Sequence, residues 1–305
     1  MLGRLKNVLE LQEVADGIYH FESKLPVMTN LFTVYIIKER AGVVIEPGPA
    51  ALVPRIQEAM RKLGMNDLAY IVPTHIHVDH AGGMGKLAQL YPGAKVLVHP
   101  AGLKHAVDPS RLIESTRKVF GENFEAGFGP ILPVPESQVK VPRDGEIITV
   151  DGRELQIIYA PGHAPHHMVI FDRSVKGIFC GDALGLPQGE HQQIPLPAAS
   201  PPNFDLEIYL ETMERLRKMG ARILFYPRGG VIGHDVDSLI LQAEENTRIL
   251  GDIILKTLRD GGTIQDVNHE VRQYAAKHFH MNLAETELAL IIGGYEVYYK
   301  KKGLL

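Results

Sequence analysis

The 305-residue chain contains one cysteine. Cys180 alone excludes an intramolecular disulfide and any Cys-rich metal site. Its setting, Gly177-Ile178-Phe179-Cys180, reads as a buried strand in which the thiol acts as a small hydrophobe. Long apolar runs are also missing, since none approaches the ~18 residues of a membrane span. The first residues mix Arg4, Lys6 and Glu10 among leucines, which is not a secretory signal pattern. An excess of one charge sign is lacking too. A net charge of −4 and a pI near 6.4 provide no basic field for nucleic acid or an anionic membrane. The one basic run, Lys300-Lys301-Lys302, reads as a solvated end. There is no Gly-x-Ser-x-Gly nucleophile elbow. Nor is there a phosphate-cradling loop: Gly82-Gly83-Met84-Gly85-Lys86 only imitates one, and close packing around His80 explains its glycines better. These absences leave a soluble, cytoplasmic protein acting on a small-molecule substrate as the expectation, with no nucleic-acid or membrane partner and with homo-oligomers compatible. Sparse Asn and Gln with frequent Pro lean toward heat stability.

What is present is ordinary globular composition, 45% hydrophobic and 22% charged. Length alone favours roughly two domains of ~150 residues. No linker composition and no repeat at about 20–50 residues divides the chain, however. Strand signals fall at Gly17–Phe21, Leu31–Ile37 and Gly42–Ile45, then at Ala69–Val72, stopped by Pro73. Helical spacing runs over Val53–Leu63, ending at Gly64, and over Gly83–Leu90, with a strand at Lys95–Val98 after it. Phe124–Val141 is rich in Pro and Gly and reads as irregular. Strands resume at Glu146–Val150, Glu154–Tyr159, Met168–Phe171 and Gly177–Cys180. The Pro-rich Leu186–Asn203 segment is long enough for a functional loop, with Leu186, Ile194 and Leu196 as an apolar wall. Asp205 is placed to cap an amphipathic helix over Asp205–Met219. Arg222–Phe225 is a last strand, and helical patterning dominates from Asp237. The reading is one α/β domain: a catalytic core over residues 1–235, with a helical section over residues 236–305 packed on it.

The strongest chemical signal is Thr74-His75-Ile76-His77-Val78-Asp79-His80, directly after a short apolar strand. Imidazole nitrogens and a carboxylate oxygen suit zinc, manganese or iron. In extended chain His75 and His77 point the same way, because side chains alternate with period two. A turn after them lets Asp79 and His80 face a second position nearby. One short segment can therefore serve two adjacent cations.

This run resembles the His-x-His-x-Asp-His signature of the metallo-β-lactamase superfamily of hydrolases, a four-layer αβ/βα sandwich. The resemblance covers about Val14 to Asp235, and it continues in family order through Pro161-Gly162-His163 and Gly181-Asp182. It implies that His75, His77 and His163 hold one metal, that Asp79 and His80 hold another, and that Asp182 bridges both. Two divalent cations are implied, zinc first, with iron or manganese as alternatives. The implied activity is attack by a hydroxide held between them on an ester, thioester, lactone or phosphate ester, with promiscuity common in the family. Asp79 and Asp182 are then the catalytic carboxylates. His166 and His167 read as supporting groups. His20, His99, His105, His191, His269, His278 and His280 read as surface or packing residues.

Three departures from the family pattern stand out. Glu46, in Ile45-Glu46-Pro47-Gly48, occupies a turn where the family usually has Asp, which concerns support rather than chemistry. The chain has no room for the inserted domain of members with nucleic-acid substrates. The usual final His slot, just after the last strand, holds Arg228 in Tyr226-Pro227-Arg228-Gly229-Gly230. A guanidinium cannot ligate a cation. His234, six residues on, is therefore expected to complete the second metal site, carried back by the glycines that precede it. Tyr226 and Arg228 are expected to bind substrate. Two rival readings carry the same residues: an iron-dependent oxidoreductase of the sulfur dioxygenase type, and a catalytically silent metal-binding protein.

Overall fold

A computed structural model describes residues 9–25, 31–188, 194–279 and 283–305. His191, His280 and the side chain of Ile194 lie outside what is described. The chain divides into two compact units, Met1–Ile157 with Asp172–Val175, and Ile158–Phe171 with Lys176–Leu305.

The first unit is built on a seven-stranded sheet in sequence order. Strands β1 (Gln12–Ala15), β2 (Ile18–Lys24), β3 (Leu31–Ile37) and β4 (Gly42–Ile45) form an antiparallel meander. Helical crossovers then add β5 (Leu68–Val72), β6 (Lys95–Leu97) and β7 (Val139–Lys140) in parallel. From Phe32 to Ile37 every residue of β3 is buried, as are all four residues of β4, so both sheet faces are covered. Helix α1 (Val53–Lys62) buries Val53, Ile56, Ala59 and Met60 at helical spacing and stops at Gly64, whose φ of +71° only glycine adopts cheaply. Two short helices follow β5: α2 (Val78–Ala81) and α3 (Met84–Leu90). Beyond β6 come α4 (Leu103–Val107), α5 (Ser110–Phe120) and α6 (Phe124–Phe128). The last of these departs from the expectation of irregular chain. Phe124 and Phe128 lie one helical turn apart and pack with Leu112 and Ile131 against Val78, which explains the local helix. The hairpin of β8 (Ile147–Val150) and β9 (Arg153–Tyr159) closes this unit, with β9 running on into the second.

In the second unit β10 (Met168–Asp172), β11 (Gly177–Phe179), β14 (Ile223–Phe225) and β15 (Val231–Ile232) lie side by side in the order β15-β14-β11-β10. The Leu186–Asn203 segment is not wholly irregular. It holds a two-stranded ribbon, β12 (Leu186–Gln188) against β13 (Ile194–Leu196). Helix α7 (Leu206–Arg217) is capped by Asp205, whose side chain accepts from the Ile208 amide at 3.2 Å. Three long helices finish the chain: α8 (Val236–Arg259), α9 (Ile264–Phe279) and α10 (Glu285–Lys301). They share one core with the strands, in which Ile178 and Leu224 pack in the same cluster as Ile240, Leu250, Val271 and Tyr295. The helical section is thus part of the second unit's core. Cys180 is fully buried there, as expected. No helix among the described residues is long and apolar enough to cross a membrane.

Candidate metal centre

The first unit gathers four candidate ligands at the end of β5. Pro73 ends the strand, and the chain bends through Thr74–His77 instead of continuing extended. His77 then caps α2, its carbonyl accepting from the amides of His80 and Ala81 at 3.0 and 2.8 Å. The bend keeps His75 and His77 on one side: His75 Nε2 and His77 Nδ1 lie 2.9 Å apart. Two nitrogens at about 2.0–2.1 Å from one ion sit roughly 3 Å from each other, so this pair fits a shared cation. The rings of His75 and His80 lie 4.0 Å apart between centroids. His80 Nε2 lies 3.5 Å from Asp79 Oδ2. His75 and His80 are buried, whereas His77 and Asp79 are partly open.

The other ring nitrogen of His80 is committed. Nδ1 donates to Glu46 Oε2 at 2.6 Å, with both side chains almost completely buried. Glu46 itself has φ +56°, a conformation that L-residues adopt at a cost. That backbone turn aims the carboxylate at the histidine and fixes its tautomer. The turn and the helix interlock through Gly48 N–H to His80 C=O at 3.0 Å and Gly83 N–H to Gly48 C=O at 2.7 Å. A Cβ on Gly83 would sit 3.2 Å from the Pro47 carbonyl oxygen, and one on Gly85 would overlap the Leu132 carbonyl. The Gly82–Gly85 run therefore serves close packing around His80.

The second unit brings together His163 and Asp182. His163 follows Gly162, whose φ is +126°, in the turn before β10. Asp182 follows β11 through Gly181. His163 Nε2 lies 3.5 Å from Asp182 Oδ2. His163 Nδ1 donates to the Ala198 carbonyl at 2.5 Å, so again one nitrogen is spent on orientation. His167, fully buried, accepts the Asp182 amide on Nε2 at 3.0 Å, the supporting role expected of it. Sequence reasoning missed Tyr209, on α7. Its hydroxyl donates to the Asp182 carbonyl at 2.7 Å and accepts from the Gly185 amide at 2.9 Å. Nothing in the chain around it marks it beyond the apolar face of an amphipathic helix.

The remaining sequence candidates separate. Tyr226 does not face a substrate: it is fully buried, its hydroxyl donates to the Leu184 carbonyl at 3.3 Å, and burial pushes its ionisation well above the usual phenol range. Arg228 follows the C-terminal end of β14, which pairs in parallel with β11 and so ends beside the Gly181-Asp182 turn. The two glycines after it have φ of +88° and +74° and reverse the chain. A Cβ on Gly229 would lie 2.7 Å from Pro187 Cγ, which places the Arg228 turn against the ribbon. His234 is carried away. The register Phe225↔Val231, Leu224↔Ile232 sends β15 back along β14, so His234 emerges exposed beside Ala221 and Arg222. That is the end of the strands opposite Asp182. The glycines close a hairpin instead of curling His234 inward.

The donor types are those of a transition-metal centre, imidazoles with a carboxylate: His75, His77 and His80 in the first unit, His163 and Asp182 in the second. Comparison with known proteins agrees. Residues 31–228, more than half of the chain, match the family model described as Metallo-beta-lactamase superfamily. The metallo-beta-lactamase fold-containing protein ST1585 of Sulfurisphaera tokodaii is 28% identical over 208 residues, which cover 67% of this chain and 74% of that protein. A hydroxyacylglutathione hydrolase of Albidiferax ferrireducens is 30% identical over 164 residues, 52% of this chain and half the length of that relative. The solved metallo-beta-lactamase family protein TTHA1429 of Thermus thermophilus has the same fold, with a TM-score of 0.67 over 95% of each chain at 21% identity. The chain belongs to the metallo-β-lactamase superfamily of hydrolases.

Proposed function

We propose that the two groups of ligands form one binuclear centre, with His75, His77 and His163 on the first cation, Asp79 and His80 on the second, and Asp182 shared. The observation that carries this reading is the convergence of His75 Nε2 and His77 Nδ1 at 2.9 Å, beside an Asp79–His80 pair whose back is held by Glu46. The order of ligands along the chain and the family match over residues 31–228 support it. Zinc is the cation we expect, and His234 has no part in the site. When bound, such cations would lower the pKa of water to about 7 and polarise a carbonyl or phosphoryl oxygen.

The protein's own contribution is placement. Glu46 and the Ala198 carbonyl hold the imidazoles of His80 and His163 in one tautomer each. Asp79, partly open at the rim of its turn, would orient the attacking water and accept its proton. Arg228, permanently cationic and half-buried beside the Asp182 turn, is suited to an anionic group on the substrate. The relative named as a hydroxyacylglutathione hydrolase makes thioesters the first class to test, with lactones, esters and phosphate esters after them. Metal content is to be measured beside hydrolysis of that panel, before and after chelation. The reading requires about two divalent ions per chain and hydrolysis that disappears with them and returns with added metal. Hydrolysis that survives complete metal removal refutes it, and oxygen consumption with bound iron in place of hydrolysis transfers the site to the oxidoreductase reading.

A further inference from the structure

The two ligand-bearing turns of the second unit meet on one helix. The Gly162 carbonyl accepts the Asp205 amide at 2.9 Å, just before α7, and Thr212 Oγ1 donates to the Pro161 carbonyl at 2.6 Å. A Cβ on Gly162 would sit 2.6 Å from the Tyr209 backbone nitrogen, so the His163 turn rests directly on that residue. From the same residue the side chain reaches the other turn. The Tyr209 hydroxyl, fully buried, donates to Asp182 C=O at 2.7 Å and accepts from Gly185 N–H at 2.9 Å and Ala198 N–H at 3.3 Å. A phenol has one donor and two acceptor positions, and all three are filled. The Ala198 carbonyl in turn takes the proton of His163 Nδ1 at 2.5 Å. An unbroken path therefore runs from His163 through Ala198 and Tyr209 to Asp182, and on from the Asp182 amide to His167 Nε2 at 3.0 Å.

We infer that Tyr209 is a positioning residue of the metal centre, whose single hydroxyl sets the spacing between the His163 and Asp182 ligands. Tyr295, another buried phenol of this core, donates to one backbone carbonyl, that of Thr247, at 2.7 Å. Tyr209 instead joins three backbone groups, one on the Asp182 residue itself and two on the segments that flank and orient the ligands. Groups of this kind behind a ligand typically change metal affinity by about 10–100-fold when removed. The inference rests on His163 and Asp182 being ligands.

The test compares Tyr209→Phe, Tyr295→Phe and Asp182→Ala in the full chain, by zinc titration against a chromophoric chelator together with thermal melting of the metal-free protein. Tyr295→Phe removes a buried hydroxyl from the same core and controls for lost stability alone. The expected result is that Tyr209→Phe weakens zinc binding at least about tenfold and lowers kcat with little change in KM. Tyr295→Phe should lower the melting temperature and leave zinc affinity within twofold. Zinc affinity within twofold of wild type in Tyr209→Phe, with Asp182→Ala clearly weakened, overturns the inference and leaves the ligand assignment standing. Unchanged affinity in Asp182→Ala overturns the ligand assignment, and the inference with it. Should Tyr209→Phe not fold, fluorotyrosine at position 209 keeps the shape while weakening the phenol oxygen as acceptor. A loss of zinc affinity there supports the inference, and unaltered affinity refutes it.

Discussion

Replacing Glu46 by alanine should weaken the binding of one cation far more than it weakens the fold. The carboxylate accepts from His80 Nδ1 at 2.6 Å, and the two side chains are only 3% and 1% exposed, so no solvent competes for the bond. A hydrogen bond to such a group contributes about 1.5–3 kcal/mol. If His80 Nε2 ligates a cation, most of that is felt as metal affinity, because a bound cation strengthens the Nδ1–H donor and needs the ring in one orientation. Since ~1.4 kcal/mol is a factor of ten, the bond predicts a loss of about 10–100-fold in affinity, the range found when such supports are removed elsewhere. Glu46→Gln keeps an acceptor oxygen, and a neutral bond is worth about 0.5–1.5 kcal/mol, so this variant should recover much of the affinity. The assay is a chelator-competition titration resolving two binding steps, with thermal melting of the metal-free protein in parallel. Glu46→Ala that binds both ions as wild type does, while melting earlier, would refute the reasoning and reduce Glu46 to a packing residue.

Other outcomes rest on the same geometry. Asp182→Ala should cost far more activity than His166→Ala, with the loss in kcat, and near-equal effects with metal content unchanged would sink the shared-ligand assignment. Lowering the pH from about 7 to 5 should release metal and activity together, because a protonated imidazole has no lone pair to offer, and a protein that stayed loaded while inactive would point to a different titrating group. Gly162→Ala should destabilise by several kcal/mol, since the new Cβ meets the Tyr209 backbone at 2.6 Å in a left-handed turn, and calorimetry showing a normal melt would contradict that packing. Arg228→Ala should raise KM for anionic substrates more than for neutral ones, and an equal effect on both would remove its recognition role.

The parts of the site that could be read from the sequence are those whose residues are close together in it. His75, His77, Asp79 and His80 fall within one bend after a strand, and the alternation that puts His75 and His77 on one side survives even though the chain bends there. Pro161-Gly162-His163 and Gly181-Asp182 each follow a strand, and strand ends are visible in the apolar runs. Glu46 stands out as a departure, and its carboxylate proves to be the support behind His80. Tyr209 is invisible for a physical reason: its face of α7 carries Leu210, Met213 and Leu216 as well, and a tyrosine in an apolar stripe has no pattern that tells a core filler from a hydrogen-bonded strut. The division near Ile157 is hidden similarly, because β9 crosses it as an ordinary strand with no change of composition.

The misplacement of His234 has a sharper lesson, because the glycines that prompt it point in the wrong direction. Consecutive residues with positive φ can bend a chain inward or reverse it, and the residues immediately after them decide between the two. Val231 and Ile232 are β-branched and apolar, and they pair with Phe225 and Leu224 to extend the sheet of the second unit by one strand. Once that pairing forms, each residue after Gly230 moves about 3.3 Å back along β14, away from the end that bears Asp182. By position 234 the chain has passed the start of β14, and the histidine stands exposed next to Arg222. The turn end keeps only Arg228, which cannot ligate. Under the proposed assignment the second cation would then have Asp79, His80 and Asp182 as its protein ligands, a set that would leave room for a catalytic water. His234→Ala should therefore leave both metal affinities within twofold of wild type, and loss of one ion in that variant would mean that the hairpin does not hold in solution.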